Sequence, residues 1–232
     1  MVKVVLFDYG GTLDSDGTPW LERFYPLYRR AGVEAPWEDF RKAFYASDDE
    51  LPGRAPMAGM DLEATVTSQV RGVIERLSPG NEAAAGAVAR AFLEDSRRLL
   101  GRNRPVLERL ARRYRLGVVS NFYGNLDTVL SGEGLGGLFG VVADSTRVGS
   151  LKPDKGIFEY ALSALGAAPP QALMVGDSLP RDMRGAEAAG LEHAWLSAPA
   201  DPSREPCCSR AWVLPSLLDL EGRLAAGERE GG

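Results

Sequence analysis

From residue 100 onward the chain alternates short apolar runs with amphipathic stretches, a rhythm that few folds accommodate. The apolar runs fall at Leu116 to Ser120, Val141 to Asp144, Ala172 to Gly176, His193 to Leu196 and Trp212 to Leu214. Helical patterns fill the gaps at Pro105 to Arg113, Asn125 to Leu130, Asp154 to Leu165 and Arg181 to Ala189. Strand, helix, strand in succession predicts a parallel sheet, because parallel neighbours need a crossover and a helix supplies it. An earlier apolar run, Val2 to Phe7, stands apart from these, since residues 15–99 carry helical patterns and no convincing strand.

The predicted fold class is therefore α/β: a Rossmann-like, doubly wound parallel sheet built from residues 1–14 and 100–232, with an α-helical cap domain inserted at residues 15–99. The cap should hold four helices, at Pro19 to Ala31, Trp37 to Asp49, Asp61 to Leu77 and Asn81 to Leu100. Pro52, Gly53, Pro56 and Gly59 predict an irregular connection that presents Arg54, Ser197 to Ser209 a long loop, and Gly227 to Gly232 a frayed tail.

Composition removes several function classes. With 232 residues and 44% hydrophobic content the chain can bury a full core, while a net charge of -5 offers no basic face for nucleic acid. The apolar run after Lys3 is too short for a secretory signal, and no run approaches the ~18 apolar residues that span a bilayer, so a cytoplasmic protein without a membrane partner is expected. Cys207 and Cys208 are adjacent and cannot staple distant segments; both are expected reduced. His193 is the only histidine, which excludes a metal site built on two imidazoles. Gly176-Asp177-Ser178-Leu179 spells a serine-esterase string, yet His193 has Gly190, not an aspartate, three residues before it, so that reading is set aside.

In an open parallel sheet, residues at the carboxyl ends of different strands converge on one site. Asp8 ends the first predicted strand and opens the turn Gly10-Gly11-Thr12; Ser120 and Asn121 end the second; Lys152 follows the third; Gly176-Asp177 ends the fourth, with Asp182 five residues on. Three carboxylates, a lysine and a hydroxyl form a donor set for phosphate with Mg2+, which takes oxygen ligands and commonly shares them between carboxylates and phosphate oxygens.

The segments DYGGTLD (8–14), VVSN (118–121), VGSLKPDKGIF (148–158) and VGDSLPRDMRGAEAAG (175–190) resemble the four motifs of the haloacid dehalogenase-like hydrolase superfamily, and the insert after the first motif resembles its helical-cap phosphatases. The resemblance implies that Asp8 is the nucleophile and forms an aspartyl-phosphate, with Lys152 beside it. It implies that Gly11, Thr12, Ser120, Asn121 and Lys152 hold the phosphate, and that Asp8, the Gly10 carbonyl, Asp177 and Asp182 hold Mg2+. The expected activity is a Mg2+-dependent hydrolysis of a small phosphorylated metabolite, by a monomer or homodimer. A 2-haloacid dehalogenase and a catalytically silent phosphate-binding protein are the alternatives.

One position departs from the motif. Where the family's phosphatases usually carry a second aspartate that handles protons, this chain has Gly10. Asp14 and Asp16 after the turn, or Asp48, Asp49 and Glu50 from the cap, could replace it; an acyl phosphate substrate would need no replacement; and Lys42, the only cap lysine, could instead form a Schiff base. Glycine's backbone torsions could themselves forbid an aspartate at residue 10.

Overall fold

The computed structural model describes residues 1–54, 56–197, 208 and 211–230. The chain opens with β1 (Val4–Phe7) and then builds α1 (Trp20–Arg30), α2 (Trp37–Arg54), α3 (Leu62–Leu77) and α4 (Glu82–Ala111) before returning to the sheet. From there strands and helices alternate: β2 (Arg115–Ser120), α5 (Leu126–Gly132), β3 (Val141–Asp144), α6 (Ser145–Val148), α7 (Lys155–Leu165), β4 (Ala172–Gly176), α8 (Arg184–Ala188), β5 (Glu192–Leu196), β6 (Trp212–Leu214) and α9 (Leu220–Glu230).

All six strands lie in one parallel sheet in the order β3-β2-β1-β4-β5-β6. The order runs outward in both directions from β1, so the crevice between β1 and β4 is the switch point at which such sheets bind ligands. The inner strands β1, β2 and β4 have both faces covered, which is why those runs read as continuously apolar. On β1, Val5 and Phe7 face the cluster that holds Phe24, Phe92 and Leu107, while Val4 and Leu6 face Phe158, Ala161 and Met174. The two-residue period of the strand thus joins the inserted helices to one face of the sheet and α7 to the other.

Three boundaries in the sequence reading need correction. The helices predicted at Asn81 to Leu100 and Pro105 to Arg113 are one 30-residue helix, α4, with Pro105 inside it, so the predicted domain boundary at residues 99 and 100 falls within a helix. Proline deletes one backbone hydrogen bond there. The buried series Leu99, Leu100, Asn103, Val106, Leu107 and Leu110 nevertheless continues at helical spacing, and packing against the sheet outweighs the lost bond. Likewise α2 runs past Asp49 to Arg54 and absorbs Pro52 and Gly53, so the predicted connection starts later than read. The helix α9 reaches Glu230, through most of the segment read as a frayed tail. Cys207 and most of the Ser197 to Ser209 loop lie outside the described residues; Cys208 is buried. Among the described residues no helix is long and apolar enough to cross a membrane.

The inserted helices are held to α4 by aromatic packing. Phe24 of α1 and Phe92 of α4 stack with ring centroids 3.8 Å apart and planes 5° from parallel, and Trp20 meets Phe92 edge-on at 5.1 Å. Both phenylalanines are fully buried. Phe92→Ala should therefore cost about 3–5 kcal/mol of unfolding free energy, measured by urea titration, because the two helices flanking the void cannot both collapse into it.

Candidate active site

The sheet delivers the site by register. Asp8 continues β1, its N–H donating to Val175 O at 2.9 Å, and therefore stands level with the end of β4. Ser120 closes β2 next to it. Both donate to the same carboxylate oxygen, Asp8 Oδ1: Ser120 Oγ at 2.8 Å and Lys152 Nζ at 2.6 Å. Among the described residues no hydrogen-bond donor is assigned to Oδ2. Burial pushes the Asp8 carboxyl up, but the ammonium and its hydrogen bond more than offset this and hold it below the usual carboxylate range.

Lys152 is itself buried and lies between two carboxylates, 2.6 Å from Asp8 Oδ1 and 2.6 Å from Asp182 Oδ1. Burial alone would favour the neutral amine; Asp182 and Asp8 reverse that and raise its pKa. The lysine's backbone is clamped from β2, since Asn121 Nδ2 donates to Lys152 O at 3.0 Å and Lys152 N–H donates to Asn121 Oδ1 at 2.7 Å. The Asn121 side chain is thus engaged in placing the lysine.

Asp8, Asp177 and Asp182 are all buried, with one oxygen of each within 4.8 Å of the others. Asp177 Oδ1 accepts a long hydrogen bond, 3.4 Å, from Thr12 Oγ1, while its buried Oδ2 has no hydrogen-bond partner. Burial, then the charges of Asp8 and Asp182, push its pKa well above the ordinary value. Close approach explains two glycines. A Cβ on Gly11, where φ is +90°, would meet Asp177 Oδ2 at 2.7 Å, and one on Gly176 would meet Asp182 Oδ2 at 2.4 Å. Gly11 N–H donates to Asp14 Oδ1, so this amide is already engaged.

The structure accounts for Gly10 differently from the sequence. Its torsions, φ -75° and ψ 119°, suit any residue. What crowds a side chain is Trp20, whose Nε1 and Cδ1 would lie 3.0 and 3.3 Å from a Cβ on Gly10. The indole is fixed in turn. Its Nε1 donates to Asp14 Oδ2 at 2.8 Å, and its ring sits among Tyr9, Phe24, Phe92 and Phe122.

The carboxylates predicted near the turn are committed elsewhere. Asp14 is fully buried and accepts from Gly11, Trp20, Arg23 at 2.7 Å and Ser96 at 3.2 Å, which makes it the anchor of α1 and not a solvated loop residue. Asp16 pairs with Arg102 at 2.7 Å and accepts from Ser216 and from Leu217 N–H. In the cap, Asp49 and Lys42 are exposed and Glu50 pairs with Arg76. Asp48 alone of that group lines the cavity that contains Asp8. His193 is buried near the start of β5, beside Met174 rather than Ser178, with Nδ1 3.1 Å from Leu191 O; it takes no part in the site.

That cavity measures about 210 Å³ and is lined by Asp8, Gly10, Ser120, Asn121 and Lys152 from the strand ends and by Trp20, Phe44, Tyr45 and Asp48 from the inserted helices. Pro19, Leu21, Glu22, Phe122, Tyr123 and Arg181 complete it, and the sequence reading had not singled out the last three. A signal existed for each of those, because Phe122 and Tyr123 directly follow Asn121 and Arg181 precedes Asp182. Asp144 at the end of β3 orders the loop that bears Tyr123, accepting from the N–H groups of Gly124, Leu126 and Thr146.

The family model of haloacid dehalogenase-like hydrolases matches residues 2–190. Phosphoserine phosphatase of Thermus thermophilus is 32% identical over 193 residues, covering 80% of this chain and 68% of that protein. Haloacid dehalogenase-like hydrolase domain-containing protein 3 of Bos taurus is 39% identical over 109 residues, 46% of this chain and 43% of that relative, so this match spans under half of either protein. Among solved structures, a 2-haloacid dehalogenase from Pseudomonas syringae pv. Tomato superposes with a TM-score of 0.52 at 23% identity, covering 97% of this chain and 99% of that one, a likeness of fold.

Placing a carboxylate at residue 10 requires the indole to move against five fixed neighbours. Gly10→Asp should lower stability by about 1–3 kcal/mol, the usual cost of overpacking, with no gain in turnover of alkyl phosphates. Thermal unfolding and phosphate release on the same sample measure both effects.

Proposed function

Because this chain belongs to the haloacid dehalogenase-like hydrolases, we propose that it hydrolyses a small phosphorylated metabolite through an aspartyl-phosphate on Asp8, with Mg2+ as cofactor. The observation that carries this reading is the treatment of Asp8. Ser120 and Lys152 hold one oxygen and leave the other to attack, in a cavity that Lys152 and Arg181 line. A carboxylate kept ionised and oriented is a competent nucleophile. Lys152 neutralises charge that builds up on the nucleophile and the phosphoryl group together, and Ser120 donates to the same region. The residues 15–99 close the cavity from above, and at about 210 Å³ it suits a small metabolite rather than a polymer.

The donor set fits a divalent cation. Three buried carboxyl groups share one directly paired ammonium, and Asp177 Oδ2 has no partner. Mg2+ held by Asp8, Asp177, Asp182 and the Gly10 carbonyl would supply charge neutralisation for the phosphoryl group. Phosphate ligands would be Thr12, Ser120 and Lys152, with Gly11 and Asn121 shaping the loops that carry them. The size and polarity of the cavity, and the phosphatase named among the relatives, support phosphoryl transfer over attack on carbon.

Asp8→Asn should abolish phosphate release and the acid-stable phosphoenzyme together. Asp177→Ala should lose Mg2+ binding by isothermal titration and at least about 10^2-fold in turnover, the scale of one electrostatic contributor to the transition state. Halide release from a 2-haloacid, undiminished by chelator and unaccompanied by phosphatase activity, would replace this reading with the dehalogenase one.

A further inference from the structure

An alkyl phosphate cannot release a bare alkoxide at useful rates near neutral pH, so a proton donor must reach the leaving oxygen. Three carboxyl groups line the Asp8 cavity: Asp8 itself, Glu22 and Asp48. Asp8 is the nucleophile on the reading above, and Glu22 stands exposed on α1. Asp48 is half-buried on α2, facing the cavity from the inserted helices, opposite the strand ends that carry Asp8, Ser120 and Lys152. One of its oxygens is fixed: Tyr123 Oη donates to Asp48 Oδ1 at 2.6 Å. Tyr123 is placed by the loop that Asp144 orders, so a strand end of the sheet sets the position of a side chain on the helical insert.

We infer that Asp48 is the general acid and base of this hydrolase, acting from the helical insert in place of a group at residue 10. The inference rests on the phosphatase reading. As Asp8 forms its bond to phosphorus and the ester P–O bond breaks, the Asp48 carboxyl gives its proton to the departing oxygen. Water then attacks phosphorus and passes a proton to the Asp48 carboxylate, while the Asp8–phosphorus bond breaks. Phosphate leaves, and both aspartates return to their starting states.

The environment of Asp48 suits both halves of the cycle. Burial pushes its pKa up to about 6, with the Tyr123 hydrogen bond opposing, the neighbouring charge of Asp49 adding and Arg181 opposing. Tyr28 faces it from α1, itself pushed high by burial and by Asp48, and so remains a neutral phenol. A carboxyl with pKa near the working pH exchanges its proton in both directions. The sign follows: a step that needs Asp48 protonated slows as pH rises through its pKa, and a step that needs it ionised slows as pH falls through it.

The test uses the full-length Mg2+-loaded enzyme with glycerol phosphate, p-nitrophenyl phosphate and acetyl phosphate. Asp48→Asn should lower kcat/KM for glycerol phosphate by about 10^2-fold or more. With p-nitrophenyl phosphate, whose leaving group needs no proton, it should give a burst of nitrophenol, a slow steady state and accumulated phosphoenzyme. The inflections near pH 6 should vanish. Tyr123→Phe keeps the carboxyl and removes its hydrogen bond, so its inflections should move to higher pH. Several results would overturn the inference while leaving the phosphatase reading in place. They are Asp48→Asn raising KM alone, equal losses on all three substrates without phosphoenzyme, and Glu22→Gln reproducing the burst while Asp48→Asn does not. A wild-type protein that releases phosphate from none of the three would instead remove the reading beneath it.

Discussion

The Lys152 ammonium, set 2.6 Å from both Asp8 and Asp182, is the interaction on which the site depends. Buried like charges repel strongly in a medium of low dielectric; the ammonium holds Asp8 below the usual carboxylate range, whereas Asp177, which it does not contact, is pushed well above it. The rest of the site follows from keeping that cation in place. Asn121 grips the lysine's backbone from the neighbouring strand, and the parallel register brings Asp8, Ser120 and Asp177 to one level. The same crowding explains why glycine stands at 11 and 176, since carboxylate atoms fill the space a Cβ would need.

A second constraint lies just above the first. Trp20 covers Gly10, and Asp14 holds Trp20 while also binding Arg23, Ser96 and the Gly11 amide. This cluster ties the turn after β1 to α1 and α4, so the loop that follows Asp8 and the helices of residues 15–99 form one packed unit. A side chain at residue 10 would press on the indole, whereas Asp48 lines the same cavity from α2.

Much of the core was legible because a parallel sheet writes itself plainly: each strand is a short apolar run, and β1, β2 and β4 lead into Asp8, Ser120 and Asp177. The β3 and β4 runs, Val141 to Asp144 and Ala172 to Gly176, were read to the residue. Helix ends inside the insert were harder. Pro52 and Pro105 look like terminators locally, yet both helices continue, and in α4 the buried stripe through Val106, Leu107 and Leu110 gains more from packing than one lost hydrogen bond costs. Asp14 illustrates the remaining limit. A loop aspartate is usually solvated, and nothing adjacent in sequence announces that Arg23, 9 residues on, and Ser96, 82 residues on, will enclose it. Tyr123 and Asp48 are 75 residues apart, so their pairing is likewise a property of the fold.

The central claim is that Asp8 exchanges a phosphoryl group and not a carbon substituent. A single turnover in 18O-labelled water separates the two, because water attacks phosphorus in an aspartyl-phosphate but attacks the carboxyl carbon in an aspartyl ester of a carbon substrate. Mass spectrometry of the released phosphate and of the peptide containing Asp8 should find the label in the phosphate and none in the aspartate. Label in the Asp8 carboxylate would contradict the account.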